Sequence, residues 1–165
     1  MIQHKILKMG LGILLGMGLF VSPVQAAWMT HPEANVKIDI PDSWKKDVNG
    51  NMLTVGPSDD SLAVMFWVVE GSDLEAIMSG FDSELKNIMQ DIQYASQEPQ
   101  EVEVNGFKAY YMQGTGTVDG AAADFEVSIL IAAKPLVVFS MAKDGALSTH
   151  SSDISALVNS IQAAE

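Results

Sequence analysis

The chain has 165 residues, with 21 aspartates and glutamates against nine lysines, and neither arginine nor cysteine. Without cysteine it can hold no thiolate zinc site, disulfide, cysteine nucleophile or cysteine-borne lipid. A net charge of −12 opposes nucleic acid, whose phosphates are bound by Lys and Arg with release of counterions, and it opposes an anionic membrane surface. At 48% hydrophobic and 18% charged, the chain is too apolar to be disordered.

The first segment reads as an address. Lys5 and Lys8 precede an uncharged, mostly apolar run over 9–22, and Val24-Gln25-Ala26 supplies small residues for a cleavage site before Ala27. The run of 14 residues is short of the ~20 needed to span a bilayer, which makes an uncleaved anchor the weaker reading. The expected organisation is a signal peptide over 1–26 and a single domain over 27–165, released as a periplasmic or secreted protein of net charge −14 with no membrane anchor. Gly10/Gly12 and Gly16/Gly18 lie inside this leader and carry no dinucleotide meaning.

Residues 28–34 read as a loose lead-in. Val36, Ile38 and Ile40 alternate with Lys37 and Asp39, the period of a strand with one wet face, and Pro41-Asp42 stops it ahead of Trp44, an expected packing anchor. Asn49-Gly50 between 45–48 and 52–55 signals a hairpin. A turn over 56–60 leads into 62–69, an apolar run that suits a central strand covered on both faces. Ser72 and Glu75 have the spacing of a capping box. Leu74, Ile77, Met78, Phe81, Leu85, Ile88, Met89 and Ile92 then recur at helical intervals, which predicts a helix ending near Tyr94. Asn105-Gly106 marks a second hairpin between 101–104 and 107–113, and 114–120 reads as a flexible glycine-rich connection. Strands follow over 123–133, where Phe125, Val127, Ile129 and Ile131 share a face, and over 136–142. Ile154, Leu157, Val158 and Ile161 make a terminal amphipathic helix with a cap expected among Ser148, Thr149, Ser151 and Ser152. The fold class is α+β: a mostly antiparallel sheet of about six or seven strands with two main helices covering its faces.

Four features in order sharpen this. An early strand runs into Pro41-Asp42-Ser43-Trp44, and an apolar strand leads into a capped helix. Glu103-Val104-Asn105-Gly106-Phe107 runs into Tyr110-Tyr111, and the last helix carries Val158-Asn159-Ser160-Ile161. Over about 36–162 the arrangement resembles the PsbP/Mog1-like fold family, which includes small exported bacterial proteins. The resemblance implies an accessory or interaction role, like that of assembly factors around photosystem II or a binder of a small GTPase. No catalytic set defines the fold, so it transfers no functional residues.

Chemistry-bearing patterns are sparse. His31 in the lead-in and His150 before the last helix have neither a nucleophile elbow nor metal spacing beside them and read as solvated loop residues. Asp59-Asp60 in a turn, and Asp119 and Asp124 around a small-residue loop, lack a dense calcium-loop pattern. Gly114, Gly116 and Gly120 lack a phosphate-loop lysine. The ten methionines show no copper spacing, and Met78 and Met89 fall in the core stripe. Trp67 and Phe81 read as core, Tyr110 and Tyr111 point to opposite faces, and Trp28 is the expected exposed aromatic. No catalytic, cofactor or metal residues are assigned. Asp59 and Asp60 are the candidates for contact with a protein partner of basic surface. Three classes stay open: a non-enzymatic interaction module, which leads; a small-ligand or lipid carrier with a cavity between sheet and helix; and a hydrolase using scattered carboxylates. An export signal over 1–26 means that protein recovered from the periplasm begins at Ala27 by intact mass, whereas a membrane-bound full-length species would refute it.

Overall fold

The computed structural model describes residues 27–31, 33–71 and 73–164; the signal peptide expected over 1–26 lies outside them, as does Ser72. In chain order the elements are β1 (Ala27–His31), β2 (Val36–Ile40), β3 (Lys45–Asn49), β4 (Met52–Gly56), β5 (Leu62–Val68), α1 (Leu74–Ile88), β6 (Gln90–Tyr94), β7 (Gln100–Val104), β8 (Phe107–Val118), β9 (Ala121–Ile131), β10 (Leu136–Lys143), a 3-10 turn (Leu147–His150), α2 (Ser151–Ser160) and β11 (Gln162–Ala163). The fold is α+β. Eight strands, rather than six or seven, form the main sheet in the order β3-β4-β5-β10-β9-β8-β6, with β7 also on β8, and β1-β2-β11 form a second, small sheet. Every pairing is antiparallel.

Two cores result. α1 buries Ile77, Phe81 and Leu85 against Trp67, Phe125, Val127, Ile129, Val137 and Phe139 on one face of the sheet. On the other face, Val36, Ile38 and Ile40 of the small sheet and Ile154, Leu157 and Ile161 around α2 cover Leu53, Val64, Phe66 and Val138. The helices therefore cover opposite faces, as the doubly apolar strands require. Trp44 is half-buried against the second core. Methionines are divided unequally: Met52, Met65, Met78, Met89, Met112 and Met141 pack in the α1 layer, and Met29 in the other.

Residues 28–31 are not a lead-in. They form β1, pairing with β2 from Ala27↔Ile40 to His31↔Val36. His31 is buried, not solvated. Its Nδ1 accepts from the Ala34 N–H at 3.3 Å and its Nε2 donates to the Asn51 carbonyl at 3.0 Å. Asn51 is held again through Nδ2, which donates to the Val68 carbonyl at 3.0 Å. These ties shift the first hairpin by one position: Asn49 pairs with Met52, so the turn is Gly50-Asn51, with positive φ at Gly50 (61°).

The long helix stops six residues early. Asp73 caps its start, with Oδ1 accepting from the Ala76 N–H at 2.9 Å. Met89 at its end is extended, and the chain continues as β6 against β8, with an irregularity between Gln90 and Gln93 and Asp91 at φ 50°. Met89 and Ile92 keep the apolar spacing, which is why periodicity alone runs on to Tyr94. The switch depends on the segment read as flexible. Gly114 and Gly116 lie inside the twelve-residue strand β8, and the turn is only Asp119-Gly120, with φ 51° and 79°. A Cβ on Gly116 would meet the Met89 side chain and come 2.8 Å from the Gln90 carbonyl; one on Gly114 would come 2.6 Å from the Phe125 ring. The glycines let β6 and the end of α1 settle onto β8. Beneath them Trp67, Phe81, Phe139, Phe125 and Tyr94 form a chain of rings with successive centroids 5.6–5.9 Å apart, and the Tyr94 hydroxyl donates to Asp82 of α1.

α2 also differs at its start. His150 occupies the cap position without a side-chain bond, because the preceding 3-10 turn feeds directly into the helix. Among the described residues no helix is long and apolar enough to cross a membrane.

Two glycine substitutions should act in opposite directions. Gly116→Ala forces Met89 and Gln90 apart and lowers stability by about 1–3 kcal/mol. Gly80→Ala adds a methyl to an exposed helix position with open space around it and raises stability by about 0.5–1 kcal/mol. Urea midpoints check both, and equal shifts would contradict the close approach at β8.

Candidate functional site

The site arises where cover runs out. Ten residues of α2 extend about 15 Å, whereas seven strands side by side span about 30 Å. On the α2 face, the near ends of β8 and β9 carry buried Ala109 and Leu130, which are paired directly. Farther along, the same face becomes a polar lane of opposed pairs: Tyr111↔Ser128, Gln113↔Glu126 and Thr115↔Asp124. Side chains directly opposite on one face of an antiparallel pair lie close enough to interact. Leu147, Ser148 and Ser151 close one side and Ala95 the other, leaving an open groove of about 410 Å³. A smaller hollow of about 150 Å³ adjoins it past Tyr111, lined by Ser96, Glu98 and Gln100.

Glu126 is the chemical centre of the lane. Its Oε2 accepts from the Tyr111 hydroxyl at 3.1 Å, and the same hydroxyl lies 3.2 Å from Gln113 Oε1. One hydroxyl proton cannot serve both acceptors. Rotating the Gln113 amide by 180° resolves this, with its N–H donating to the Tyr111 oxygen and the Tyr111 hydroxyl donating to Glu126. Burial raises the Glu126 carboxyl above its ordinary range, opposed by the Tyr111 hydrogen bond. Burial, with the Glu126 charge beside it, pushes the Tyr111 hydroxyl up to about 12, so it stays a donor at neutral pH. Asp124 is committed elsewhere, its Oδ2 accepting from the Gly145 N–H at 2.6 Å. Among the described residues no three His, Asp or Glu side chains are grouped to hold a metal.

The residues singled out in the sequence lie apart from this centre. Asp59 accepts from the Ser61 hydroxyl at 2.6 Å and amide at 3.1 Å, bonds that hold it below the usual carboxylate range. Asp60, at φ 57° in the same turn, receives both of its bonds from Lys45, at 2.7 and 2.9 Å. His150 lies 3.6 Å from Asp153, and Asp119 is a turn residue. Tyr110 faces the α1 layer and Tyr111 the groove. Trp28 is exposed, with the Lys37 ammonium 5.4 Å above its ring. The lane itself was missed, although alternation could have found it: Tyr111, Gln113, Thr115 and Thr117 on one strand, Asp124, Glu126 and Ser128 on the next.

Because the folded state binds the Glu126 proton more tightly than the unfolded chain does, the ionised carboxylate costs stability at neutral pH. That cost fades as pH falls through the raised folded value towards the ordinary 4.5. Glu126→Gln should therefore raise the urea midpoint at pH 7, with the gain shrinking as pH falls towards about 4.5 and absent below it. An unchanged midpoint at pH 7 would show a fully solvated carboxylate.

No protein-family model matches the sequence, and no curated protein matches it. Solved structures do match its shape. A cyanobacterial PsbP (CyanoP) from Synechocystis sp. PCC 6803 superposes with a TM-score of 0.58 at 14% identity, over 90% of this chain and 98% of that one. LpqN of Mycobacterium tuberculosis, involved in cell envelope biogenesis, gives 0.53 at 16% identity, over 84% and 91%. A Bacteroides thetaiotaomicron protein gives 0.59 at 11% identity, over 86% of this chain, which spans 49% of its length. The architecture expected from the four ordered motifs is thus the one observed, and the chain has the PsbP/Mog1-like fold.

Proposed function

We propose that the chain is exported and works as a non-enzymatic accessory protein, holding a protein partner of basic surface without turnover. The distribution of charge carries this reading. Acids outnumber lysines by 21 to nine, and Lys45, Lys108 and Lys134 are already paired with Asp60, Glu101 and Glu33. The remaining surface is left to attract cations and to steer their approach. Sharing a fold with CyanoP and with an envelope-biogenesis protein supports an accessory role by analogy, and the signal-like leader supports export.

A small-ligand carrier is the second reading, favoured by the groove beside α2. That groove is an open trough with an acidic floor, better suited to a polar or cationic group than to a lipid, which an enclosed apolar cavity would hold.

In-cell crosslinking of the mature protein followed by mass spectrometry captures the partner. Its association rate should fall as ionic strength rises from 0.1 to 1 M and the Debye length shrinks from ~10 to ~3 Å. A rate independent of salt sinks the electrostatic account.

A further inference from the structure

We propose that the groove over β8 and β9 seats a lysine or arginine side chain from an extended basic segment of the partner, its cationic head on Glu126 and its stem along Leu147 and Ala95. This deepens the accessory reading above and rests on it.

Charge is the first argument. Glu126 and Asp124 line the groove and Glu98 the adjoining hollow, with no lysine among the lining residues of either. The ion pairs of the described residues lie elsewhere, on Asp60, Glu101, Glu33 and Asp153. Of the other half-buried carboxylates, Asp82 receives the Tyr94 hydroxyl and Asp124 the Gly145 amide, while Asp39 of β2, outside the groove, keeps a buried Oδ1 without a partner among the described residues. Glu126 receives one bond, from the neutral Tyr111 hydroxyl, so its charge is partly withdrawn from water without a counter-charge. Such a group is a burden on the isolated fold and is relieved when a ligand brings the cation, because hydrogen bonds between ionised partners are the strong ones.

Shape is the second. The trough is open and runs on into the hollow beside Tyr111, so it cannot surround a free amine as a small-molecule pocket does. It can take a chain laid along it. Leu147 and Ala95 offer apolar walls to the methylene stem of a side chain whose charged head goes deeper, the arrangement long basic residues favour.

The test uses a fluorescein-labelled peptide of alternating lysine and alanine, read by anisotropy at low salt. Its counterpart with glutamate in place of lysine should not bind. Glu126→Gln should weaken the lysine peptide about tenfold or more, as expected when one partner of a partly desolvated charge pair is neutralised. Asp47→Asn removes the same unit of charge from exposed strand β3 and should change binding less than about twofold. A urea midpoint at or above wild type confirms that the Glu126 variant is folded. Equal weakening by the two variants overturns the seat while leaving a diffuse basic-partner surface intact. No binding of the lysine peptide to the wild-type chain overturns both. Competition by putrescine as effective, per ammonium, as the peptide would overturn the extended segment in favour of a small amine.

Discussion

An eight-stranded sheet with apolar side chains on both faces must be kept dry twice over, and the rest of the molecule follows from how little helix there is to do it. α1, fifteen residues long, crosses from the inner strand β5 to β6 at the edge and seals one face. α2, ten residues long, cannot match it, and the small sheet of β1, β2 and β11 takes the place of the missing helix. The division explains why the first described elements, β1 and β2, form a hairpin that belongs to neither the main sheet nor a helix. It also explains why the uncovered remainder of the second face is polar. Residues facing water there need hydrogen bonds, not packing, and Tyr111, Gln113, Thr115 and Glu126 supply them.

Local chemistry made much of the fold legible. Asn105-Gly106 has positive φ at both positions, the geometry that a two-residue hairpin demands. Val36, Ile38 and Ile40 face inward in strict alternation. Errors cluster where a distant partner decides the outcome. Nothing near Met89 announces that the helix ends there; the reason sits on β8, where two glycines omit the side chains that would have held β6 away. Those glycines, read in isolation, suggest flexibility, whereas in the fold they are packed strand positions. His31 was misjudged for the same reason, since its two bonds reach Ala34 and Asn51, and only the β3–β4 hairpin brings Asn51 within range.

The candidate site shows the limit more sharply. Asp59 and Asp60 were conspicuous because they are adjacent in sequence, yet their carboxylates are occupied by Ser61 and Lys45. Glu126 was inconspicuous because its alternate neighbours Phe125 and Val127 drew attention to the opposite face of the same strand. Alternation reveals that the two faces differ. It does not reveal which one a short helix will leave uncovered, and that is the fact that turns a row of polar residues into a groove.

The uneven placement of methionine has a consequence for chemical wear. A chain without cysteine carries its oxidisable sulfur entirely as thioether, and six of the seven methionines among the described residues lie in the α1 layer. Sulfoxide formation turns a pliant apolar side chain polar, so oxidant damage would accumulate between α1 and the sheet. The opposite side, with the groove, the small sheet and α2, contains only Met29 among the described residues. Ageing by oxidation would thus erode the molecule from one side, with the groove the last part to change.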